Sequence, residues 1–250
     1  MSAEAYFAEA QKVYDRIRST QMENIRSAAQ CGVDSITRGG LVHLFGSGHS
    51  VIPVMDVFPR YGTFAGFHPL MDARLMWTQV LGSGGVRELL KLERTEGYVS
   101  TFLSNFKFEA VDTMVVYSHG GLNAAGIDVA LHAKSLGLKV VAVTSLANAA
   151  IAKATHSSGK KLAELGDVVI DNCCPPQDSL VMTAGIPVAA SSTFAVITIS
   201  MALVAEMASE LERRGVRFRA FVSPNVSSVG PDNNRQVFDE YIARVAPRLR

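Results

Sequence analysis

Two short segments carry the strongest chemical signal in this chain. Gly46-Ser47-Gly48-His49-Ser50 follows the apolar run Leu41 to Phe45, and Ser118-His119-Gly120-Gly121-Leu122-Asn123 follows Val111 to Tyr117. Each reads as a buried strand running into a small-residue turn, which presents backbone N–H groups at a helix start and lets an anion approach closely. The hydroxyls of Ser47, Ser50 and Ser118 and the amide of Asn123 add donors. His49 and His119 add rings that can accept or deliver a proton near neutral pH. Two such turns converging on one ligand make a sharper signature than either alone, and the ligand they suit is a small, sugar-like anion.

Other phosphate-binding devices do not fit. Gly46-Ser47-Gly48 supplies only the first half of the dinucleotide fingerprint, because Val51 occupies the position of its third glycine. No acidic residue ends a clear second strand to hold a ribose, and no G-K-[ST] triplet occurs. The six histidines show neither H-x-x-x-H nor H-E-x-x-H spacing. The expectation is therefore no nucleotide cofactor and no essential metal.

The elements that must hold these turns follow from periodicity. Apolar Phe7, Val13, Ile17, Met22 and Ile25 recur at helical spacing, which predicts one or two amphipathic helices within about residues 3–37. Strands are predicted at Leu41–Phe45, Phe64–Phe67, Val111–Tyr117, Leu138–Val143 and Asp167–Ile170. Helices are predicted over Ala124–Leu136, stopped by Gly137, over Ala147–Ala154, and from Ser191-Ser192-Thr193 to about Arg214. Continuous apolar strands a helix apart imply a parallel sheet covered on both faces. With order 2-1-3-4-5, the crevice at the switch point lies between the two strands that precede the glycine-rich turns. A tail from about 218 to 250 should be extended and polar, then briefly helical over Val237–Val245. No linker or low-complexity tract divides the chain, so one domain over 1–250 is the economical count.

Composition limits the remaining classes. The chain has 250 residues, 48% hydrophobic and 19% charged, with a formal net charge of +1, which fits neither a disordered chain nor a nucleic-acid binder. Three cysteines, Cys31, Cys173 and Cys174, give no disulfide framework, and the first residues lack a secretory pattern. A cytoplasmic setting is expected. No charge occurs from Ser179 to Ala205, but Pro187 and six hydroxyls interrupt it, so it reads as a fully enclosed helix after Ser191 rather than a membrane span.

The motifs FGSGHS, LERTEGY (Leu92 to Tyr98), VVYSHGG, IDVALHAKSLGLKVVAVTS and HSSGKKLAELGDVVIDN resemble the SIS (sugar isomerase) family, in its phosphoheptose-isomerase-like branch. The resemblance covers nearly the whole chain. It implies an α/β fold, a three-layer sandwich around a five-stranded parallel flavodoxin-like sheet. It also implies a homodimer or homotetramer with sites near subunit interfaces, and a sugar-phosphate ligand. This chain departs from the family's S-x-S-G turn at Ser118-His119-Gly120-Gly121, so another anion such as a sulfonate stays open.

Aldose–ketose isomerisation needs a base that moves a proton between adjacent carbons, a group that helps open the ring, and donors for the enediolate. The catalytic candidates are His49, Asp56, Asp72 and Glu93, with Glu96 from the same LERTEGY segment. The substrate-binding candidates are Ser47, Gly48, Ser50, Ser118, His119, Gly121 and Asn123 in the two turns. Thr144 and Ser145 after the fourth strand, Ser191, Ser192 and Thr193 at the long helix, and Lys160 as an anion partner complete them. A non-catalytic sugar-phosphate binding module and an amino-sugar phosphate lyase or etherase are the alternatives.

Overall fold

The computed structural model describes residues 3–225 and 229–250. Its centre is a parallel sheet of β1 (Val42–Gly46), β2 (Phe67–Leu70), β3 (Thr113–Tyr117), β4 (Lys139–Thr144) and β5 (Val168–Asp171), in spatial order β2-β1-β3-β4-β5. The flanking helices are α1 (Ala3–Thr20), α2 (Met22–Thr37), α3 (Val51–Val57), α4 (Val86–Leu92), α5 (Tyr98–Leu103), α6 (Ala124–Ser135), α7 (Leu146–Ile151), α8 (Ser192–Arg213) and α9 (Asn233–Val245). A separate antiparallel hairpin pairs β6 (Ser179–Thr183) with β7 (Ile186–Ala190).

Strand residues alternate between two cores, as period-two side chains must. Val42, Leu44, Val115, Tyr117, Val141 and Val143 face one layer, built from α1, α2, α3, α8 and α9. Phe45, Met114, Val116, Val140 and Ala142 face the other, built from α4, α5 and α6. Hence α3 leaves β1 toward one face and α6 leaves β3 toward the other, which opens a crevice at their carboxyl ends. The register sets Gly46 beside Tyr117, so both glycine-rich turns emerge side by side.

Two glycines are fixed by close approach. A Cβ on Gly46 would collide with the backbone of Ser50, so the turn closes only without a side chain. Gly121 adopts φ +62°, and a Cβ there would stand 2.7 Å from Thr144 Oγ1.

Several expectations shift. The second strand is Phe67–Leu70 rather than Phe64–Phe67, and Phe64 bridges Ala220 in the tail instead. Pro69 is tolerated because β2 is an edge strand with no outer ladder to supply. The expected helix at Ala147–Ala154 is α7, ending at Ile151, with Ser145 accepting Asn148 N–H at 3.1 Å as its cap. Asn233–Val245 forms a longer tail helix than expected, while residues 226–228 of the expected extended tail lie outside the described residues. The α8 helix buries one face, including Ala195, Ile199, Leu203 and Met207, against α2 and α3, and is not fully enclosed. The hairpin, α4 and α5 were not foreseen.

Candidate active site

A cavity of about 330 Å³ opens at the switch point. Ser47, Gly48, His49 and Ser50 line it from the turn after β1, and Ser118, His119, Gly120 and Asn123 from the turn after β3. Ser192 and Thr193 reach it from the start of α8, Glu93 from the end of α4, and Trp77 with Leu89 and Leu90 supplies an apolar wall. The two turns thus converge as their spacing implied. Among the described residues, the N–H groups of Gly48, His49 and Gly120 donate to no protein acceptor. They are available to a ligand.

Of the two carboxylates that line this cavity among the described residues, Asp178 is bound to the start of α8, which leaves Glu93 for a ligand. Glu93 is 5% exposed, and Ser47 Oγ donates to its Oε2 at 2.8 Å. Burial pushes its carboxyl above the ordinary glutamate range, only partly offset by the Ser47 bond, the Arg94 charge, an Asn123 bond and the His49 charge. A carboxylate raised in this way is a stronger base than one in water. His49 is exposed at the cavity mouth with its ring 4.5 Å from that of Trp77, centroid to centroid.

The other three sequence-chosen carboxylates lie elsewhere or do other work. Asp56 points away from the cavity and pairs with Arg60, just beyond the end of α3, at 2.6 Å. Being on α3 two turns from His49 left its direction open, and the helix turns it outward. Asp72 is buried but spent: it accepts Arg74 N at 3.0 Å, Arg74 Nε at 3.1 Å and Tyr98 OH at 2.9 Å. Burial opposes its ionisation, yet these bonds outweigh burial and hold its carboxyl below the usual range. Glu96 faces a neighbouring cavity of about 340 Å³ and accepts Ser157 N at 2.7 Å.

Several predicted binding residues serve the scaffold instead. Thr144 donates to the His119 carbonyl at 3.3 Å, and Ser145 donates to the Cys174 carbonyl at 2.9 Å, both fully buried. The Gly121 N–H is taken by Ser118 Oγ at 3.1 Å. Lys160 is exposed and lines neither cavity; its N–H donates to Ser158 Oγ at 3.3 Å. His119 lines the cavity, but Nε2 donates to the Pro176 carbonyl at 3.3 Å while Nδ1 accepts from Asn172 at 3.1 Å. Both ring nitrogens are occupied, so it offers a ligand its ring surface.

Asp178 is the residue that sequence reasoning missed. It accepts Ser191 N–H at 3.0 Å and Ser192 N–H at 2.6 Å through Oδ1, and Ser192 Oγ donates to its Oδ2 at 2.7 Å. The start of α8 is therefore neutralised from within the chain, and Ser191 is withdrawn from the cavity. Asp178 lies 13 residues before Ser191, across the unforeseen hairpin, so no local spacing announces it.

Comparison with known proteins agrees with this geometry. The SIS domain profile matches residues 5–145. A UPF0309 protein of Listeria innocua is 31% identical over 236 residues, covering 94% of this chain and 93% of the relative. The phosphoheptose isomerase of Neisseria gonorrhoeae shares the fold at a TM-score of 0.55 and 16% identity, over 83% of this chain and 97% of that one. A phosphoheptose isomerase from Francisella tularensis does so at a TM-score of 0.53 and 18% identity, over 83% and 96%. With the strand order, the twin turns and the profile match in agreement, this chain belongs to the SIS domain family.

Proposed function

We propose that this protein is an aldose–ketose isomerase acting on an anionic monosaccharide, a sugar phosphate in first place, through an enediol intermediate. The observation that carries the reading is Glu93: a buried carboxylate, made more basic by burial, inside the crevice where both anion-cradling turns meet. The likeness in fold to two phosphoheptose isomerases supports the substrate class.

In this reaction the open-chain aldose loses the proton on C2 to Glu93, and its electron pair forms the C1–C2 double bond of the enediolate. Glu93 returns the proton to C1 while the hydroxyl proton passes from O2 to O1, giving the ketose with no net change in composition. The N–H groups of Gly48, His49 and Gly120, with the hydroxyls of Ser50, Ser118 and Thr193, hold the anion and the developing oxyanion. His49, exposed at the mouth, assists ring opening, and Trp77 offers a surface to the apolar face of the sugar. Among the described residues no lysine or arginine lines the cavity, which suits a ligand with one anionic group held by neutral donors.

The protein works as a homodimer or homotetramer in a reducing, cytoplasmic setting. The exposed Met182, Ile186 and Val188 of the hairpin, which ends at the cavity residue Ala190, support self-association. Burial first, then Asp171, raises the Cys173 thiol to about 11, and burial raises Cys174 to about 12, which suits cysteines kept as unreactive thiols. The deciding experiment incubates the protein with a panel of sugar phosphates, sugar sulfonates and free sugars in deuterated water. Deuterium entry at C1 or C2, abolished in Glu93→Gln, is the expected result. Ligand-induced thermal stabilisation with no exchange would establish the binding-module reading instead.

A further inference from the structure

Glu93 lies at one end of a segment that core packing does not hold. Arg94, Thr95, Glu96 and Gly97 are all exposed, and buried side chains resume only at Val99. What fixes the segment is a set of polar tethers. Ala125 N–H, in the first turn of α6, donates to the Glu93 carbonyl at 3.0 Å. Gly97 N–H donates to Asp128 Oδ2 at 2.7 Å. The other oxygen of Asp128 meets His156 Nε2 at 2.9 Å, and Glu96 Oε2 stands 3.6 Å from that same nitrogen. Glu96 is bound in turn by the N–H and hydroxyl of Ser157.

His156, 9% exposed, is therefore the hub between α6, the loop after α7 and the segment that carries Glu93. Its tautomer is assigned by its neighbours. Ser158 N–H donates to Nδ1 at 3.0 Å, so the neutral ring carries its proton on Nε2, the nitrogen that faces the two carboxylates. This is the arrangement by which an outer hydrogen-bond shell fixes a reacting group without touching substrate.

We propose that His156 is a positioning residue for Glu93, bridging Asp128 and Glu96 so that the exposed segment between them holds the Glu93 carboxylate in the cavity. The proposal rests on the functional reading above for the role of Glu93 as base, but the placement of the Glu93 carboxyl can be measured without turnover.

The test uses two substitutions that divide the functions of the ring. His156→Gln keeps a donor where Nε2 stands, toward Asp128. His156→Asn keeps an acceptor for Ser158 N–H and loses that donor. Asp128→Ala breaks the same link from the other side. In each variant the Glu93 carboxyl is titrated by carbon-13 NMR, with its resonance assigned by its disappearance in Glu93→Gln, and kcat and KM are measured on the substrate found in the exchange screen. The groups that face Glu93 during this titration are Ser47, Asn123, Arg94 and His49.

The expected result is that His156→Asn and Asp128→Ala move the Glu93 midpoint down toward the ordinary glutamate value. In both, kcat should fall about 10²-fold, the loss typical of a misplacement on the order of 1 Å. KM should change by no more than about threefold. His156→Gln should stay near wild type in both readouts. Unchanged Glu93 titration in folded His156→Asn and Asp128→Ala overturns the proposal, and so does equal loss in His156→Gln and His156→Asn. Unfolding of both disruptive variants, read by circular dichroism, would also overturn it by making His156 a stability residue. Full turnover in Glu93→Gln would remove the base assignment, while the titration would still decide whether His156 places the carboxyl.

Discussion

Ser47 donates its hydroxyl to Glu93 Oε2 at 2.8 Å, which joins the turn after β1 to the carboxylate at the end of α4 across 46 residues of sequence. The bond favours the ionised carboxylate and burial disfavours it, with burial the larger influence. Glu93→Gln should lower turnover by about 10²–10⁴-fold, the range for loss of a general base, with little change in ligand affinity. Ser47→Ala should move the acidic limb of the kcat/KM profile to higher pH, because it removes a bond that stabilises the anion. Rate measurements from about pH 5 to 9 check both.

Asp178 caps α8 although it lies outside that helix. Asp178→Ala strands the Ser192 N–H and hydroxyl, while Ser191 N–H keeps the Asp178 main-chain carbonyl at 2.9 Å, and should cost about 1–2 kcal/mol, the scale of a lost helix cap. In a domain of this size that is a fall in Tm of about 2–8 °C. Calorimetry of the variant against wild type, with and without inorganic phosphate, measures it. Phosphate should restore part of the lost stability by taking the vacated donors.

Asp56 on α3 and Arg60, just beyond its end, form an exposed pair. Asp56→Asn should leave turnover unchanged and shift stability by no more than about 0.5 kcal/mol. A loss of activity in this variant would show that α3 turns Asp56 toward the ligand in the working enzyme.

At the opposite end of the sheet, a buried network joins His43, His68, Asp112 and Arg248. His43 Nδ1 lies 3.0 Å from His68 Nδ1, His43 Nε2 lies 3.3 Å from Asp112 Oδ2, and Arg248 Nη1 donates to Asp112 Oδ2 at 3.0 Å. Burial lowers both histidines from 6.5, His68 to about 3 with further help from His43, so both hold a proton less readily folded than unfolded. Because the unfolded chain takes up these protons first, stability should fall as pH drops below about 6.5, by up to about 1.4 kcal/mol per pH unit for each histidine. Asp112, held below its ordinary value, adds to the loss below about pH 4. Urea melts between about pH 7 and 4.5 should show a shallower dependence in His68→Gln, by one proton.

The pattern of residue types was enough to read the sheet. Met114 to Tyr117 and Val140 to Val143 are apolar at consecutive positions, and Val42, Leu44 and Phe45 break that run only at His43, a pattern that suits strands buried on both faces. Glycines at 46, 48, 120 and 121 marked the turns, because a backbone that must pass close to its neighbours or adopt φ above zero excludes side chains locally. Ser47, Gly48, His49, Ser50, Ser118 and Asn123 reached the cavity for that reason: they sit within a few residues of a strand end, whose direction the sheet sets.

What local pattern left undetermined was the partner of each polar group. Asp56, Asp72 and Glu93 are equivalent as residue types. Their fates were settled by Arg60 just beyond the end of α3, by Arg74 with Tyr98 on α5, and by Ser47 on a distant turn. Thr144, Ser145 and Ser191 stand at strand or helix ends as binding hydroxyls do, yet backbone groups and Asp178 from across the fold claim them first. Sequence alone thus determined the layers, the switch point and the two turns, since these follow from short-range sterics and apolar periodicity. Only the tertiary structure decided which of these carboxylates enters the cavity, because a charge becomes buried, bonded or solvated through neighbours that are remote along the chain.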